Sequence, residues 1–82
     1  MKTTYLRTEH TFFDTVIKIA GKKIIECNKD DILTSEISED ETHNEKASMY
    51  FSINGKCKAI EKEEFDNFFI KTVEKINEIS KL

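Results

Sequence analysis

Residues 61–82 constrain the fold of this chain more than any other segment, because their apolar residues recur with helical spacing. Plotted on a helical wheel, most charged residues fall outside an arc of about 140°. Inside the arc lie Phe65, Phe68, Phe69, Thr72, Val73, Ile76 and Ile79. The pattern predicts an amphipathic helix that buries one phenylalanine-rich face. Ile70 is the exception, since it falls on the polar side, and we interpret it as a candidate contact for a partner or a second copy.

Residues 48–60 alternate polar and apolar side chains, which is the period of a half-buried strand. The dipeptide Asn54-Gly55 within them is a strong hairpin signal. A three-residue loop with a bulge at Gly55 keeps the apolar side chains of the two strands on one face. The sequence therefore predicts a hairpin over 48–60, with the C-terminal helix packed on its apolar face.

The predicted hairpin assigns a side to each of its residues. Its apolar face is expected to consist of Met49, Phe51, Cys57 and Ala59. Tyr50 is expected on the outer face, with Lys56 and Lys58 nearby. An exposed aromatic side chain among bases can stack on a nucleotide base or anchor a protein partner, so Tyr50 is a candidate binding residue.

The N-terminal part of the chain allows two interpretations. β-Branched residues between positions 15 and 26 favour two strands that turn near Gly21. The alternative is a helix over 8–20, with Gly21 as its C-terminal stop. Residues 32–37 are predicted to form a further strand, and residues 38–46 a solvated loop.

These elements predict one α+β domain over residues 1–82. Its core would be a small antiparallel sheet of four to five strands in meander-like order. The C-terminal amphipathic helix would cover one face of that sheet.

Charge is distributed unevenly along the chain. The net charge is −3, but residues 30–45 contain seven acidic residues and neither lysine nor arginine. These residues are Asp30, Asp31, Glu36, Glu39, Asp40, Glu41 and Glu45. A dense group of carboxylates can steer association with a basic protein surface, so all seven are candidate partner-binding residues. The same charge makes direct binding of nucleic acid unexpected.

The sequence offers no motif for catalysis or for a cofactor. His10 and His43 form no metal-ligand pairing, the acidic residues lack the spacing of a calcium loop, and the two glycines form no phosphate-binding loop. Cys27 and Cys57 are too far apart for a C-x-x-C motif and are expected to have structural roles. We therefore expect a protein that is not an enzyme and uses neither metal nor cofactor. No signal peptide and no membrane-spanning run is found, so we also expect the protein to be cytoplasmic.

In size, acidity and lack of catalytic motifs the chain is similar to phage or mobile-element inhibitors of host defence, including anti-CRISPR proteins. The similarity is one of type. It implies a non-catalytic protein that blocks or regulates a larger, nucleic-acid-handling partner, with residues 30–45 placed on a basic surface of that partner. Two alternatives are a small ligand- or nucleic-acid-binding module that uses the sheet face around Tyr50, and a structural subunit that forms a homodimer.

Overall fold

The computed structural model describes residues 2–9, 14–54 and 57–81. The elements run in the order β1 (Thr3–Glu9), β2 (Asp14–Ala20), β3 (Lys23–Cys27), β4 (Ile32–Glu36), α1 (His43–Asn54), β5 (Cys57–Ala59) and α2 (Lys62–Ser80). The α+β architecture is confirmed, with a five-stranded antiparallel sheet in the order β4-β3-β2-β1-β5. Strands β1 to β4 form a meander, and β5 joins β1 at the opposite edge from β4.

The strand interpretation of the N-terminal region is confirmed, and the helix interpretation is wrong over the described residues. β2 and β3 are joined at Gly21, which has a φ of 61°. That left-handed conformation is readily available to glycine and costly for residues with a Cβ atom. β-Branched residues dominate both strands and suit the pleated, half-buried surface.

The hairpin predicted over 48–60 is wrong. Residues 43–54 form helix α1, and only residues 57–59 form a strand, β5. Gly55, where the bulge was expected, and Lys56, expected on the outer face of the hairpin, lie outside the described residues. Phe51, expected in the core, has 43% of its surface exposed.

A capping box explains why this segment begins as a helix. The Thr42 hydroxyl accepts a hydrogen bond from the Glu45 backbone N–H at 3.2 Å, and the Glu45 carboxylate accepts one from the Thr42 N–H at 3.3 Å. This reciprocal pair satisfies two backbone donors at the helix N-terminus. The predicted loop over 38–46 therefore ends at residue 42.

The two helices lie on opposite faces of the sheet. Side chains alternate between the faces of a strand, so neighbouring residues of β2 belong to different clusters. Ile17 packs in the cluster that includes Ala47 and Tyr50 of α1, whereas Val16 packs in the cluster that includes Phe65 of α2. The result is three layers, with the sheet between α1 and α2.

Helix α2 confirms the C-terminal prediction in position and, for Phe65 to Ile76, in the buried face. Ile79, predicted on that face, is 57% exposed, because it lies in the last turn of the helix. Phe65 is 3% exposed and packs on Val16 and Cys27 of the sheet. The rings of Phe65 and Phe69 stack with their centroids 5.8 Å apart. The core beneath the helices comes from the sheet itself rather than from residues 49–59. Its most buried side chains are Leu6, Ile17, Ile19, Ile24, Val16, Thr72 and Cys27.

Arg7 of β1 ties α2 to the sheet. Its guanidinium donates to the Asp14 carboxylate on β2 at 2.5 and 2.9 Å, and to the Glu64 carboxylate on α2 at 2.7 Å. The guanidinium carbon also lies 5.5 Å from the centroid of the Phe68 ring, within range of a cation–π contact. These bonds raise the pKa of Arg7 above its ordinary value, so the charge is fixed in place.

Candidate functional site

Strand β4 forms one outer edge of the sheet, because β3 is its neighbour on one side and the strand order ends there. Four of its five residues, 33–36, are exposed. Leu33 has 57% of its surface exposed, although it is a large apolar residue. A strand at the edge of a sheet presents backbone groups with no partner strand, which makes it a possible surface for pairing.

The seven acidic residues of segment 30–45 do not form a single cluster. Asp30 and Asp31 lie in the turn before β4, whereas Glu36 and the residues that follow lie at its other end. Five residue steps separate Asp31 from Glu36, which places the two groups about 16 Å apart along the strand. The acidic segment is therefore a strand with carboxylates at both ends.

The group before β4 is held by local hydrogen bonds. The side-chain oxygen of Asn28 accepts hydrogen bonds from the backbone N–H groups of Asp30 and Asp31 at 2.8 and 2.7 Å. The Asp30 carboxylate pairs with Lys75 of α2, and this bond lowers the pKa of Asp30. Asp30 is thus already paired within the protein. Among the described residues, the Asp31 carboxylate accepts a single hydrogen bond, from the N–H of its neighbour Ile32 at 2.8 Å.

The group after β4 occupies a short turn. The Glu41 N–H donates to the Ser38 carbonyl at 3.1 Å, which closes a turn with Glu39 and Asp40 at its tip. Both tip residues are exposed. Among the described residues, no lysine, arginine or histidine nitrogen forms a salt bridge with Glu36, Glu39, Asp40 or Glu41.

Glu45 stands apart from this group. Its carboxylate closes the capping box with Thr42 at the start of α1. We therefore define the acidic edge as strand β4 together with the five acidic residues that remain without a salt bridge. These are Asp31, Glu36, Glu39, Asp40 and Glu41.

Tyr50 does not lie on the outer face of the sheet. It belongs to α1 and is half-buried against the cluster that includes Leu6 and Ile17. Its hydroxyl donates a hydrogen bond to the Glu26 carboxylate on β3. Burial, and then this hydrogen bond, raise the pKa of Tyr50 above its ordinary value. The contacts describe a tyrosine that anchors α1 to the sheet.

Ile70 lies on α2 with 53% of its surface exposed, as the helical wheel predicts. Its neighbour Phe69 instead packs against the sheet cluster. Ile70 is therefore accessible, and it lies on α2 rather than on strand β4.

The two cysteines have buried, high-pKa thiols. Cys27 is 0% exposed and Cys57 is half-buried, and both are free thiols. Burial raises the pKa of each, although Cys57 has a lysine on either side in the sequence. A raised pKa reduces the thiolate fraction, so neither environment activates a nucleophile.

No group of three or more acidic, histidine or cysteine side chains is arranged to hold a metal ion in the described parts of the chain. The ring of His43 already has two protein partners. Its Nδ1 donates to the Gly21 carbonyl at 3.1 Å, which leaves Nε2 to accept from the Thr4 hydroxyl at 2.7 Å. His10 lies outside the described residues.

A groove of about 400 Å³ lies between α2, β1 and the turn after β3. The sequence did not predict it, because its walls come from three distant segments. It is lined by Arg7, Lys29, Glu64, Asn67, Phe68, Lys71, Thr72 and Lys75. Two of its four cations are paired, since Arg7 binds two carboxylates and Lys75 a third, whereas Lys29 and Lys71 form no salt bridge among the described residues.

Comparison with protein-family models finds no match, and neither curated proteins nor solved structures show a significant similarity to this chain. Over the residues that the structure describes, neither helix combines the length and the apolar character needed to cross a membrane.

Proposed function

We propose that the protein is a non-catalytic binding protein that places its acidic edge on a basic surface of a larger, nucleic-acid-handling protein. Occupying that surface would block or regulate the partner. The observation that carries the proposal is an open edge strand with five acidic residues at its two ends, none of which forms a salt bridge within the described chain.

Charge complementarity gives this arrangement its chemistry. An exposed carboxylate that already has a cationic neighbour gains little electrostatic energy from a partner's lysine or arginine. A carboxylate without such a neighbour gains more from the same contact. Proteins that handle nucleic acids carry clustered lysine and arginine residues to meet phosphates. Such a cluster is the complementary surface for the acidic edge, and an acidic protein that covers it competes with the nucleic acid.

The sheet-face alternative loses its proposed cluster. Tyr50 was expected to share a face with Lys58, but Tyr50 is on α1 and packs on the side of Leu6. Lys58 pairs with Arg7 in the register between β1 and β5, which places it on the side of α2. The structure thus separates the aromatic residue from the base, and the acidic edge remains the better-supported surface.

Affinity capture with a matched pair of charge reversals tests the proposal. The edge variant carries Glu39→Lys and Asp40→Lys, whose side chains are exposed and make no hydrogen bond in the structure. The control variant carries Glu74→Lys and Glu78→Lys, which change the net charge equally on the exposed side of α2. Each protein is immobilised, exposed to host-cell lysate, and its bound proteins are quantified by mass spectrometry.

We expect a basic partner to be recovered with the wild-type protein and the control variant. The edge variant should recover about tenfold less, because two reversed contacts at an interface rim cost on the order of 1.4 kcal/mol together. Equal recovery by all three proteins would show that the acidic edge does not carry binding.

A further inference from the structure

The backbone of β4 has a defined set of groups that face away from the sheet. The Ile37 N–H donates to the Lys22 carbonyl at 2.7 Å, and the Asn28 N–H donates to the Asp31 carbonyl at 3.0 Å. These bonds fix residues 31 and 37 as facing β3. In an antiparallel pair the residues that bond to the neighbour alternate. Residues 33 and 35 therefore also face β3, and residues 32, 34 and 36 direct their N–H and C=O groups outward.

The outward groups are accessible. The Ile32 N–H is taken by the Asp31 side chain, but no hydrogen bond from the described residues engages the outward groups of Thr34 or Glu36. Thr34 and Glu36 are both exposed. On the α1 side of the same strand, the exposed Leu33 side chain adds apolar surface.

The acidic residues are the feature that disfavours pairing of β4 with the β4 strand of a second copy. The chain has no proline at all, and every residue of β4 pairs in register with β3, without a bulge. Natural edges otherwise rely on such features, or on charged residues, to avoid pairing with copies. Two antiparallel copies centred on Thr34 would pair residue 36 of one with residue 32 of the other, and residue 31 with residue 37. This register places the acidic group before β4 of one copy close to the acidic group after β4 of the other. The same carboxylates that repel those of a second copy would attract the lysine or arginine side chains of a basic segment.

We propose that β4 accepts an extended, lysine- or arginine-rich segment of the partner as a sixth strand of the sheet. Main-chain hydrogen bonds would form at Thr34 and Glu36, and basic side chains at the ends of the added segment would meet the two acidic groups. This is recognition by strand addition, in which the backbone supplies affinity and the flanking charges supply specificity. The inference rests on the proposed function and specifies how the partner is held.

The probe for this proposal is a synthetic peptide of about nine residues that alternates lysine with valine, a length suited to a single strand. It is titrated into the ¹⁵N-labelled full-length protein, and hydrogen exchange of individual backbone amides is followed by NMR. We expect exchange at Thr34 and Glu36 to slow about tenfold or more at saturation. Exchange at Ser35 should change little, because its N–H already faces β3. A peptide with glutamate in place of lysine should not bind.

A backbone variant separates strand addition from simple charge attraction. Thr34→Pro removes one outward N–H, and proline is tolerated on an edge strand where the N–H faces solvent. Thr34→Val keeps that N–H and is the matched control. We expect Thr34→Pro to weaken binding of the lysine–valine peptide about tenfold, and Thr34→Val to leave it nearly unchanged. If Thr34→Pro does not fold, the exchange measurement on the unmodified protein decides the question.

The outcomes distinguish this inference from the proposed function. If the Glu39→Lys/Asp40→Lys variant loses peptide and partner but Thr34→Pro retains both, charge recognition stands and strand addition is overturned. If neither variant loses binding, both proposals fail. Failure of the lysine–valine peptide to bind saturably would overturn the inference. The inference would also be overturned if the free protein formed a concentration-dependent dimer that Thr34→Pro abolishes, because the edge would then bind a second copy.

Discussion

Replacing Tyr50 by phenylalanine removes one hydroxyl from the contact between α1 and the sheet. In the folded protein this hydroxyl donates to the Glu26 carboxylate, and both side chains are half-buried. A hydrogen bond to a charged group contributes about 1.5–3 kcal/mol, and partial exposure places this one near the lower limit. We therefore expect Tyr50→Phe to lower the free energy of unfolding by about 1–2 kcal/mol. For a domain of this size that corresponds to a fall in Tm of roughly 6–12 °C.

The effect of Tyr50→Phe should depend on pH, and the sign follows from the raised pKa of Tyr50. A raised pKa means that the folded state holds the phenolic proton more tightly than the unfolded state does. The stabilisation is complete below the unfolded pKa of about 10 and is lost as pH rises above it. The Tm difference between the wild-type protein and Tyr50→Phe should therefore be largest near neutral pH and shrink by about pH 11.

Thermal unfolding followed by circular dichroism measures both quantities. Tyr5→Phe is the matched control, since it removes the other tyrosine hydroxyl and leaves the contact with Glu26 intact. It should retain the alkaline loss of stability that Tyr50→Phe abolishes. A Tyr50→Phe protein as stable as the wild type near neutral pH would refute the assignment of Tyr50 as the anchor of α1.

Three further results are expected. Thr42→Ala removes half of the capping box and should lower the free energy of unfolding by about 1 kcal/mol, measured by urea denaturation; no change would mean that the box does not hold the start of α1. Arg7→Met removes the ion pairs with both Asp14 and Glu64 and should destabilise by about 1–2 kcal/mol. That loss should shrink at high salt, and a salt-independent loss would point to packing instead. In a thiol-modification assay Cys57 should react faster than the fully buried Cys27, and the two should react alike in denaturant; equal rates in the native protein would contradict their different exposures.

The C-terminal helix could be predicted from sequence because its signal is local and long. Phe65, Phe69 and Ile76 mark one face over three turns, and no competing turn residue interrupts them. The strands on either side of Gly21 were less clear, since the same residues also satisfy a short helical pattern. In that region the β-branched side chains and the turn at Gly21 favour two strands over a helix.

Helix α1 was missed because two local signals conflict. The alternation of Met49, Phe51 and Ile53 with polar residues and the Asn54-Gly55 pair indicate a hairpin. The signal for a helix was the capping box of Thr42 and Glu45, three residues apart in T-x-x-E spacing, which was available in the sequence. Packing of Ala47 and Tyr50 on the sheet adds tertiary stabilisation that no local pattern reports.

The residues of the candidate site could be predicted from the sequence, but their arrangement could not. The acidic residues of segment 30–45 are read directly, but their division between the two ends of β4 depends on where that strand ends. That β4 is an edge depends on the order of strands, which residues 32–36 do not encode by themselves. Asp30 leaves the site for the same reason, because its partner Lys75 is brought to it by the fold. Glu45 leaves it for a local reason, since its carboxylate caps α1 through Thr42.

Site-specific photo-crosslinking tests most directly whether the acidic edge is the binding surface. A photo-reactive amino acid is placed at Leu33, on the edge, or at Ile70, on α2, two apolar positions with 57% and 53% exposure. The captured basic partner, or the lysine–valine peptide, should crosslink to the protein at position 33 and not at position 70. Crosslinking from position 70 alone would contradict it and move the interface to the helix.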